Sequence, residues 1–308
     1  MSGASPLETV PAPGPDRDQA PPTGPAVVST EPAGRRASRA LLSVLRRPGL
    51  VLSIAVLAAA LIAAFLPQLL TPLDPFRTDP AAALQQPGTP GHLLGTDLVG
   101  RDLYTRIVYG TRDSMQAALL AMGISLVGGS LLGLVAGYFG GTLDAVVMRV
   151  MDVMLAFPAL LLAMAIITAI GFGTVAVAVA VGVVGIAAMT RLMRSEVLRV
   201  RRREFVEAAG LSGARWPKVL VRHVLPNAWG PALVLAVLDF GTAILAVSSL
   251  SFLGFGAPPP SPEWGSLIAD GRNYLASAWW LCTFPGIAIA AVVLASNRVS
   301  RAVQGGDR

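Results

Sequence analysis

Six long apolar runs are the feature that most restricts how this chain can fold. They cover roughly Leu50 to Leu70, Met115 to Tyr138, Val146 to Ile170, Thr174 to Leu192, Trp229 to Leu253 and Trp280 to Ala295. A helix of about 20 residues crosses the roughly 30 Å hydrocarbon core of a bilayer. Only 14% of the residues are charged, against about 25% in soluble domains. The sequence therefore predicts an all-α membrane protein with six transmembrane helices.

Basic residues indicate the orientation of these spans. The first run follows an arginine-rich stretch with Arg35, Arg36, Arg39, Arg46 and Arg47. Because lysine and arginine are enriched on cytoplasmic flanks, the N-terminus is predicted to be cytoplasmic. Six crossings then place residues 193–228 and the C-terminus on the same side. The basic residues of segment 193–228 are Arg194, Arg199, Arg201, Arg202, Arg203, Arg215, Lys218 and Arg222.

Composition divides the chain into four parts. Residues 1–40, rich in Pro, Ala, Gly, Ser and Thr, are predicted to be a disordered cytoplasmic tail. Residues 41–70 hold the first transmembrane helix; a cleaved signal peptide is the competing interpretation, and the long polar tail favours an uncleaved span. Residues 71–113 are predicted to be extracytoplasmic, and residues 114–303 to form the main transmembrane domain.

The segment 193–228 contains a stretch, Glu207 to Asn227, that predicts two short helices around a glycine turn. Gly210 and Gly213 can adopt the positive φ that ends a helix. Residues 214–223 can resume a helix before Pro226 stops it. Isolated helices shorter than about 12 to 15 residues are marginal in water, so these two need a surface that holds them. The stretch is therefore interpreted as a docking element.

The spacing within this stretch resembles a family pattern. Glu207-Ala208-Ala209, three residues, Gly213, nine residues and then His223-Val224-Leu225-Pro226 resemble the cytoplasmic EAA loop of the membrane permeases of binding-protein-dependent ABC importers. The resemblance implies a type I ABC importer transmembrane domain in which this loop forms coupling helices on an ATPase subunit. The positions that it assigns to ATPase coupling are Glu207, Ala208, Ala209, Gly213, His223, Leu225 and Pro226.

Further motifs resemble the dipeptide, oligopeptide and nickel branch of these permeases. They are Gly95-Thr96-Asp97 with Gly100-Arg101-Asp102, followed by Arg106, Tyr109-Gly110 and Arg112, and later Pro262-Glu263-Trp264-Gly265. Two departures occur: Val247 replaces a glutamate usual in the fifth span, and Ser300-Arg301 stands where a Gly-Asp pair is usual. The segment Gly95–Asp102 also approaches a phosphate-binding loop, but Arg101 replaces its lysine and Asp102 its hydroxyl, so no ATP site is predicted there.

The resemblance implies a set of partners and a class of solute. We expect two ABC ATPase subunits, a second, non-identical permease and an extracytoplasmic solute-binding protein, with ATP hydrolysis in the separate subunits. Di- or oligopeptides are the expected solutes, and nickel chelates or other small solutes remain alternatives. A stand-alone secondary transporter or channel is the rival function. It would predict inverted repeats and several intramembrane carboxylates, neither of which the sequence displays.

A few residues inside the spans also carry expectations. Asp239 lies in the middle of the fifth run and should face protein or a water-filled path, so it is a candidate pathway-lining residue. Arg149 and Asp152, three residues apart, are predicted to pair with each other. Gly129, Gly133 and Gly137 recur every four residues, either for close helix packing or simply because membrane helices are glycine-rich. No cofactor or metal is predicted, since Cys282, His92 and His223 are isolated.

Overall fold

The computed structural model describes residues 48–305, and the predicted tail at 1–40 lies outside them. Ten α-helices follow one another along these residues, with no β-strand among them. They are α1 (Pro48–Phe65), α2 (Leu103–Phe139), α3 (Gly141–Ala156), α4 (Ala159–Ile170), α5 (Thr174–Arg201), α6 (Glu204–Leu211), α7 (Trp216–Val219), α8 (Leu225–Phe252), α9 (Trp264–Gly271) and α10 (Trp280–Gly305). A π-helical turn, Leu220–Val224, joins α7 to α8.

Membrane-spanning helices account for most of this architecture. Five are long and apolar enough to cross a bilayer: α1, α2, α5, the continuous α7–α8 run and α10. The pair α3 and α4 supplies a sixth crossing if the two are counted as one bent span. The all-α, six-span prediction is confirmed in this form. The second helix begins at Leu103, earlier than the apolar run at Met115, because Asp102 caps it by accepting a bond from the Thr105 N–H at 2.8 Å.

The spans alternate in direction between two ends of the molecule. We call the end that carries residues 202–224 the motif end, and the end that carries residues 66–102 and 253–279 the far end. Helices α2, α5 and α10 run from the far end to the motif end, and α1, α3–α4 and α8 run back. Gly49 of α1 lies against Arg298 of α10, so the first described helix starts, and the last one ends, at the motif end.

The predicted glycine stripe is the contact face between α2 and α5. A Cβ added at Gly129 would lie 2.5 Å from the Cβ of Met189. One added at Gly133 would lie 2.6 Å from the Thr190 carbonyl oxygen, and one at Gly137 would lie 3.0 Å from the Arg194 carbonyl oxygen. Such distances leave no room for a side chain, so the two backbones approach each other directly. Of the two interpretations of these glycines, helix packing is the one the structure supports.

The third apolar run, expected as one span from Val146 to Ile170, is broken. Helices α3 and α4 meet at an angle of 100°. Phe157, before Pro158, has extended backbone angles of φ −88° and ψ 142°. A residue before proline is driven out of the α region by the proline ring, and proline offers no N–H to continue the helix. This span therefore has an elbow, which the expectation of a single run missed.

Pro226 does not stop its helix, contrary to the prediction. The helical run continues from Trp216 to Phe252. It passes the proline through the π-helical turn, in which the Leu225 N–H donates to the carbonyl oxygen of Leu220, five residues back. A proline cannot donate to the preceding turn, and its ring crowds the carbonyl four residues back. The wider turn just before Pro226 relieves that crowding while the helix axis continues.

The predicted pairing of Arg149 with Asp152 is also wrong. Asp152 of α3 instead accepts a hydrogen bond from Arg191 of α5 at 2.5 Å. A second pair, Asp144 with Arg194 at 2.5 Å, joins the same two helices. Residues three apart on one helix can form an ion pair. Here α3 packs on α5, so Asp152 pairs with Arg191 of the neighbouring helix and not with Arg149 of its own. Both ion pairs therefore tie α3 to the motif-end half of α5.

We expect Gly133→Ala to destabilise the folded chain. The added methyl group would collide with the Thr190 carbonyl oxygen and the Arg194 amide nitrogen of α5, which are backbone atoms that cannot rotate away. Overpacking of this kind costs about 1 to 3 kcal/mol. The measurement is the apparent melting temperature of the detergent-purified protein.

Gly123→Ala is the matched control for this prediction. Gly123 lies on the same helix, and nothing is within 4 Å of the position its Cβ would take. That variant should melt at or near the wild-type temperature. Equal melting of Gly133→Ala and wild type would contradict the proposed direct backbone contact.

Candidate functional site

The EAA stretch folds as the predicted short helix α6 and glycine turn, but its second helix, expected to end before Pro226, is the start of the continuous run from Trp216 to Phe252. Helix α6 ends in a turn at Gly213, whose φ is +78°. The Ala214 N–H donates to the Ala209 carbonyl oxygen at 3.2 Å, and the Ser212 N–H donates to Ala208 at 3.0 Å. This is the Schellman arrangement, which satisfies the last carbonyl groups of a helix and needs a left-handed residue. The prediction for Gly213 is confirmed, whereas Gly210 stays within α6.

The other predicted coupling residues surround this turn. Glu207 and Ala208 are exposed on α6, and Ala209 is half-buried against the protein core. The remaining three, His223, Leu225 and Pro226, lie where the π-helical turn enters α8. The His223 ring lies 6.5 Å from the Phe205 ring, measured between centroids. The fold therefore brings both halves of the motif together at the motif end.

Buried aliphatic residues hold these short helices on the transmembrane bundle. Val206, Val219, Leu220 and Val224 are buried in one apolar cluster with Met193, Val197 and Val200 of α5. A polar contact adds to it, because Arg201 Nη1 donates to the Tyr138 carbonyl oxygen at 2.7 Å. The helices are marginal alone, and packing on the ends of α2 and α5 supplies the surface that they need.

The outward face of the EAA stretch is apolar and rimmed by cations. Its exposed apolar residues are Phe205, Leu211, Trp216 and Val221, of which Leu211 is 91% exposed. Arg202, Arg203, Arg215, Lys218 and Arg222 are exposed around them. Several large exposed apolar side chains on one short segment, with charged neighbours in the sequence, suit a protein interaction site. We call this the motif-end face.

A buried ion network closes the far end. Asp97 Oδ2 accepts from Arg101 Nε and from Arg106 Nη1, each at 2.6 Å. Its other oxygen accepts the Val99 and Arg101 backbone N–H groups. The Arg106 side chain is 1% exposed, so its buried guanidinium needs the counter-charge that Asp97 provides. Gly95-Thr96-Asp97 and Gly100-Arg101-Asp102 carried the family resemblance in the sequence. In the structure this motif joins the far-end segment to α2 through the ion pair between Asp97 and Arg106.

A second buried acid, Glu263, lies at the N-terminus of α9 and is 0% exposed. Its carboxylate accepts the Ser266 N–H at 2.9 Å and the Ser114 hydroxyl at 3.2 Å. Burial raises the pKa of Glu263, and these hydrogen bonds only partly oppose the rise. Sequence reasoning missed the burial of this glutamate, because it treated Pro262-Glu263-Trp264-Gly265 only as a family motif in an external segment. Gly265 contacts the Ser248 backbone of α8, so this segment is wedged between α2 and α8.

A cavity of about 300 Å³ lies between α2, α3, α4, α5 and α8 at mid-span. Asp239 lines it together with Thr242, Ala243 and Ala246 one to two turns further along α8, and its role in a solute pathway stays a prediction. Its other walls are Ala121, Met122, Ser125, Leu155, Ala159, Val181, Val184, Gly185 and Ala188. These side chains are small or apolar, so the Asp239 carboxylate is the one acidic group of the lining.

The two sequence departures occupy packed positions. Val247 is 1% exposed in an apolar cluster with Ala117, Ile167 and Leu250, which is a site where valine fits and an unpaired carboxylate would be costly. Ser300 is buried and Arg301 exposed on α10. Cys282 is half-buried and packs near the Ile268 carbonyl oxygen. Among residues 48–305, no three His, Cys, Asp or Glu side chains form a metal-binding group.

The ion network yields a stability prediction. Asp97→Asn should destabilise the protein by about 3 kcal/mol, because the substitution leaves Arg106 as a buried cation without its counter-charge. Asp74→Asn is the control, since the Asp74 carboxylate only accepts an exposed turn N–H from Phe76. Apparent melting temperatures of the purified variants measure both effects. Adding Arg106→Met to Asp97→Asn should recover part of the loss, and strictly additive losses would contradict the coupling.

The raised pKa of Glu263 yields a pH prediction. A carboxyl group with a higher pKa in the folded state stabilises the fold fully below its ordinary pKa, and that contribution is lost as pH rises through the folded-state value. Glu263→Gln is neutral at every pH and lacks this loss. The melting temperature of Glu263→Gln relative to wild type should therefore increase from pH 5 to pH 9. A difference that is constant with pH would show that Glu263 ionises as freely as an exposed glutamate.

Comparisons with known proteins agree with this architecture. The profile of a family described as "Binding-protein-dependent transport system inner membrane component" matches residues 129–305. The dipeptide transport system permease protein DppC of Alkalihalophilus pseudofirmus is 44% identical over 239 residues, which are 78% of each chain. The probable D,D-dipeptide transport system permease protein DdpC of Escherichia coli is 43% identical over 225 residues, covering 73% of this chain and 75% of that protein.

Two more matches extend the comparison. The glutathione transport system permease protein GsiD of Pectobacterium atrosepticum is 38% identical over 234 residues, covering 76% of this chain and 78% of that protein. A crystal structure of an amino acid ABC transporter with histidines superposes with a TM-score of 0.52 at 13% identity, covering 65% of this chain and 93% of that chain. The last likeness concerns the fold alone. From the family match and these relatives, the chain belongs to the binding-protein-dependent transport system inner membrane components and is a multi-pass permease subunit of an ABC importer.

Proposed function

We propose that this permease carries di- or oligopeptides into the cell and that the motif-end face receives the force of ATP hydrolysis from a partner. The motif-end face is the observation that carries the proposal, because it exposes four large apolar side chains on helices that are otherwise anchored in the bundle. The names of the curated relatives support peptides as the solute, since two of those above are dipeptide permeases. Nickel chelates and other small solutes are the alternative cargo.

Each coupling residue has a physical role in this proposal. Glu207 presents a charge to the partner, the small exposed Ala208 allows the partner to approach closely, and the small Ala209 lets α6 lie close on the bundle. Gly213 sets the angle between α6 and α7. The last three, His223, Leu225 and Pro226, lie where the motif joins α8, so a displacement of the motif-end face is transmitted along a continuous helical run from Trp216 to Phe252. Movement of α8 would alternately expose the bundle interior to each side of the membrane.

The proposed assembly contains two ABC ATPase subunits, a second, non-identical permease and an extracytoplasmic solute-binding protein. ATP hydrolysis takes place in the ATPase subunits. The motif end faces the cytoplasm, so that the N- and C-termini are cytoplasmic and the far end faces outward. The cationic rim of the motif-end face supports this orientation, because basic residues are retained on the cytoplasmic side and attract anionic lipid. The rival function, transport without an ATPase, has no comparable support in the structure.

The test uses the complete transporter purified through this chain and reconstituted in proteoliposomes. Wild type should bring both ATPases with it and import radiolabelled L-alanyl-L-alanine only when ATP is present. Gly213→Val should abolish uptake while membrane insertion persists, because a β-branched residue at φ +78° is strained by about 1 to 3 kcal/mol and disturbs the turn.

Gly230→Val provides the matched control. Gly230 lies on α8 near the motif end, and nothing is within 4 Å of the position its Cβ would take. This variant should retain uptake. Recovery of the wild-type chain without ATPases would refute the proposed assembly, and full uptake by Gly213→Val would refute the role of the turn.

A further inference from the structure

The mid-span cavity contains two polar groups that no other part of the described chain satisfies. Asp239 is half-buried in α8, and its carboxylate forms no hydrogen bond or ion pair with any of residues 48–305. Ser125 of α2 is 5% exposed, lines the same cavity and has a buried hydroxyl without a partner in that part of the chain. Buried polar groups are normally paired, and an unpaired carboxylate at membrane depth is costly. The unpaired Asp239 carboxylate therefore indicates a ligand or water within the cavity, and the Ser125 hydroxyl can supply a second polar contact there.

An ion pair lies next to the cavity on its motif-end side. Arg191 follows Ala188 by three residues on α5, and Asp152 precedes Leu155 by three residues on α3, so both continue the helix faces that line the cavity. One helical turn separates them from the lining, about 5 Å. Both side chains of the pair are about half exposed, at 49% and 52%. Arg191 is thus a cation within reach of the cavity, held by a partner that solvent or a ligand can replace.

We propose that this cavity is a transient site for a solute with two opposite charges, in which Asp239 receives its ammonium group and Arg191 its carboxylate. The inference rests on the proposed function, because it specifies where this chain meets a peptide during transport. Ser125 supplies a hydroxyl to the solute backbone. Arg191 lies on the motif-end side of the cavity that Asp239 lines. A peptide bound to both side chains would therefore point its carboxylate toward the motif end.

The size of the site agrees with a short peptide. Ligand cavities begin at about 300 Å³, and this cavity has about that volume. An extended dipeptide spans about 7 Å, longer than the single helical turn of about 5 Å between the cavity lining and Arg191, so a dipeptide that reaches Arg191 would still lie partly within the lining. Apart from Thr242, whose hydroxyl donates to the Asp239 carbonyl oxygen on the same helix, the remaining walls are alanine, valine, leucine, methionine and glycine, which offer no conventional side-chain hydrogen bonds to select a particular peptide side chain. The site would recognise the two termini that all such peptides share.

The test compares variants in the complete reconstituted transporter, with radiolabelled L-alanyl-L-alanine as the probe. Asp239→Asn and Arg191→Gln should each slow ATP-driven uptake by about tenfold, the scale of one hydrogen bond to a charged group. Asp239→Glu should retain most of the rate because it keeps the charge. Ser249→Ala is the control, since the Ser249 hydroxyl bonds only to the Leu245 carbonyl oxygen on the same helix and lies outside the lining.

A second readout separates solute binding from an effect on folding. Ala188→Cys, in a Cys282→Ala background, places a single thiol in the cavity lining. The probe should slow maleimide labelling of this thiol during turnover, and Asp239→Asn should remove that protection. Ala246→Leu, which fills the cavity without altering a charge, should also block uptake.

The outcomes distinguish this inference from the function on which it rests. If the wild-type transporter imports no L-alanyl-L-alanine, the peptide proposal fails and the site fails with it. If wild type imports the probe while Asp239→Asn and Ala246→Leu import it equally fast, the site alone is refuted. Slow uptake by Asp239→Asn, with normal ATPase assembly and normal rates for Asp239→Glu and Ser249→Ala, supports it.

Discussion

The close approach of α2 and α5 is the contact on which the rest of the structure depends. In a membrane, burial of apolar side chains against another helix gains little, since lipid tails are equally apolar, and helices associate mainly through close packing. Gly129, Gly133 and Gly137 permit that packing, because no α2 side chain separates the two helices at these three positions. Because the two helices run parallel, their ends lie side by side at the motif end, and both extend beyond a single bilayer thickness.

That shared end explains how so short a motif can hold a defined shape. Helix α6 has eight residues and α7 four, lengths at which helices in water are unstable. Their buried side chains, Val206 and Val219, pack into the cluster at the end of α5. The EAA turn is therefore stabilised by packing on the bundle, and a movement of the turn must move the residues of the bundle that it contacts. Such coupling is what a force-transmitting element requires.

Local sequence rules predicted the features that depend on one helix and failed where two elements meet. The apolar runs, the glycine stripe and the turn at Gly213 follow from periodicity and backbone preference. The elbow before Pro158 follows the same rules, but its angle depends on how α3 and α4 pack on α5. The partner of Asp152 and the burial of Glu263 depend on residues that are distant in sequence, which spacing along one helix cannot supply. Pro226 was predicted wrongly for a different reason, because a rare π-helical turn accommodates a proline that would ordinarily end the helix.

The charges along α8 show how polarity is distributed across the membrane. Val247 lies in a dry apolar cluster toward the far end, and Asp239, eight residues earlier and about 12 Å away along the axis, lines the cavity. Beyond Val247, Glu263 and the Asp97 network close the far end with buried polar contacts. Asp239 therefore lies on the motif-end side of the apolar cluster. An unpaired charge cannot reside cheaply in this dry layer, so a solute that follows the proposed route would have to pass it while the apolar cluster is displaced. In the proposed coupling, α8 would displace the cluster, because α8 is the helix into which the EAA motif continues.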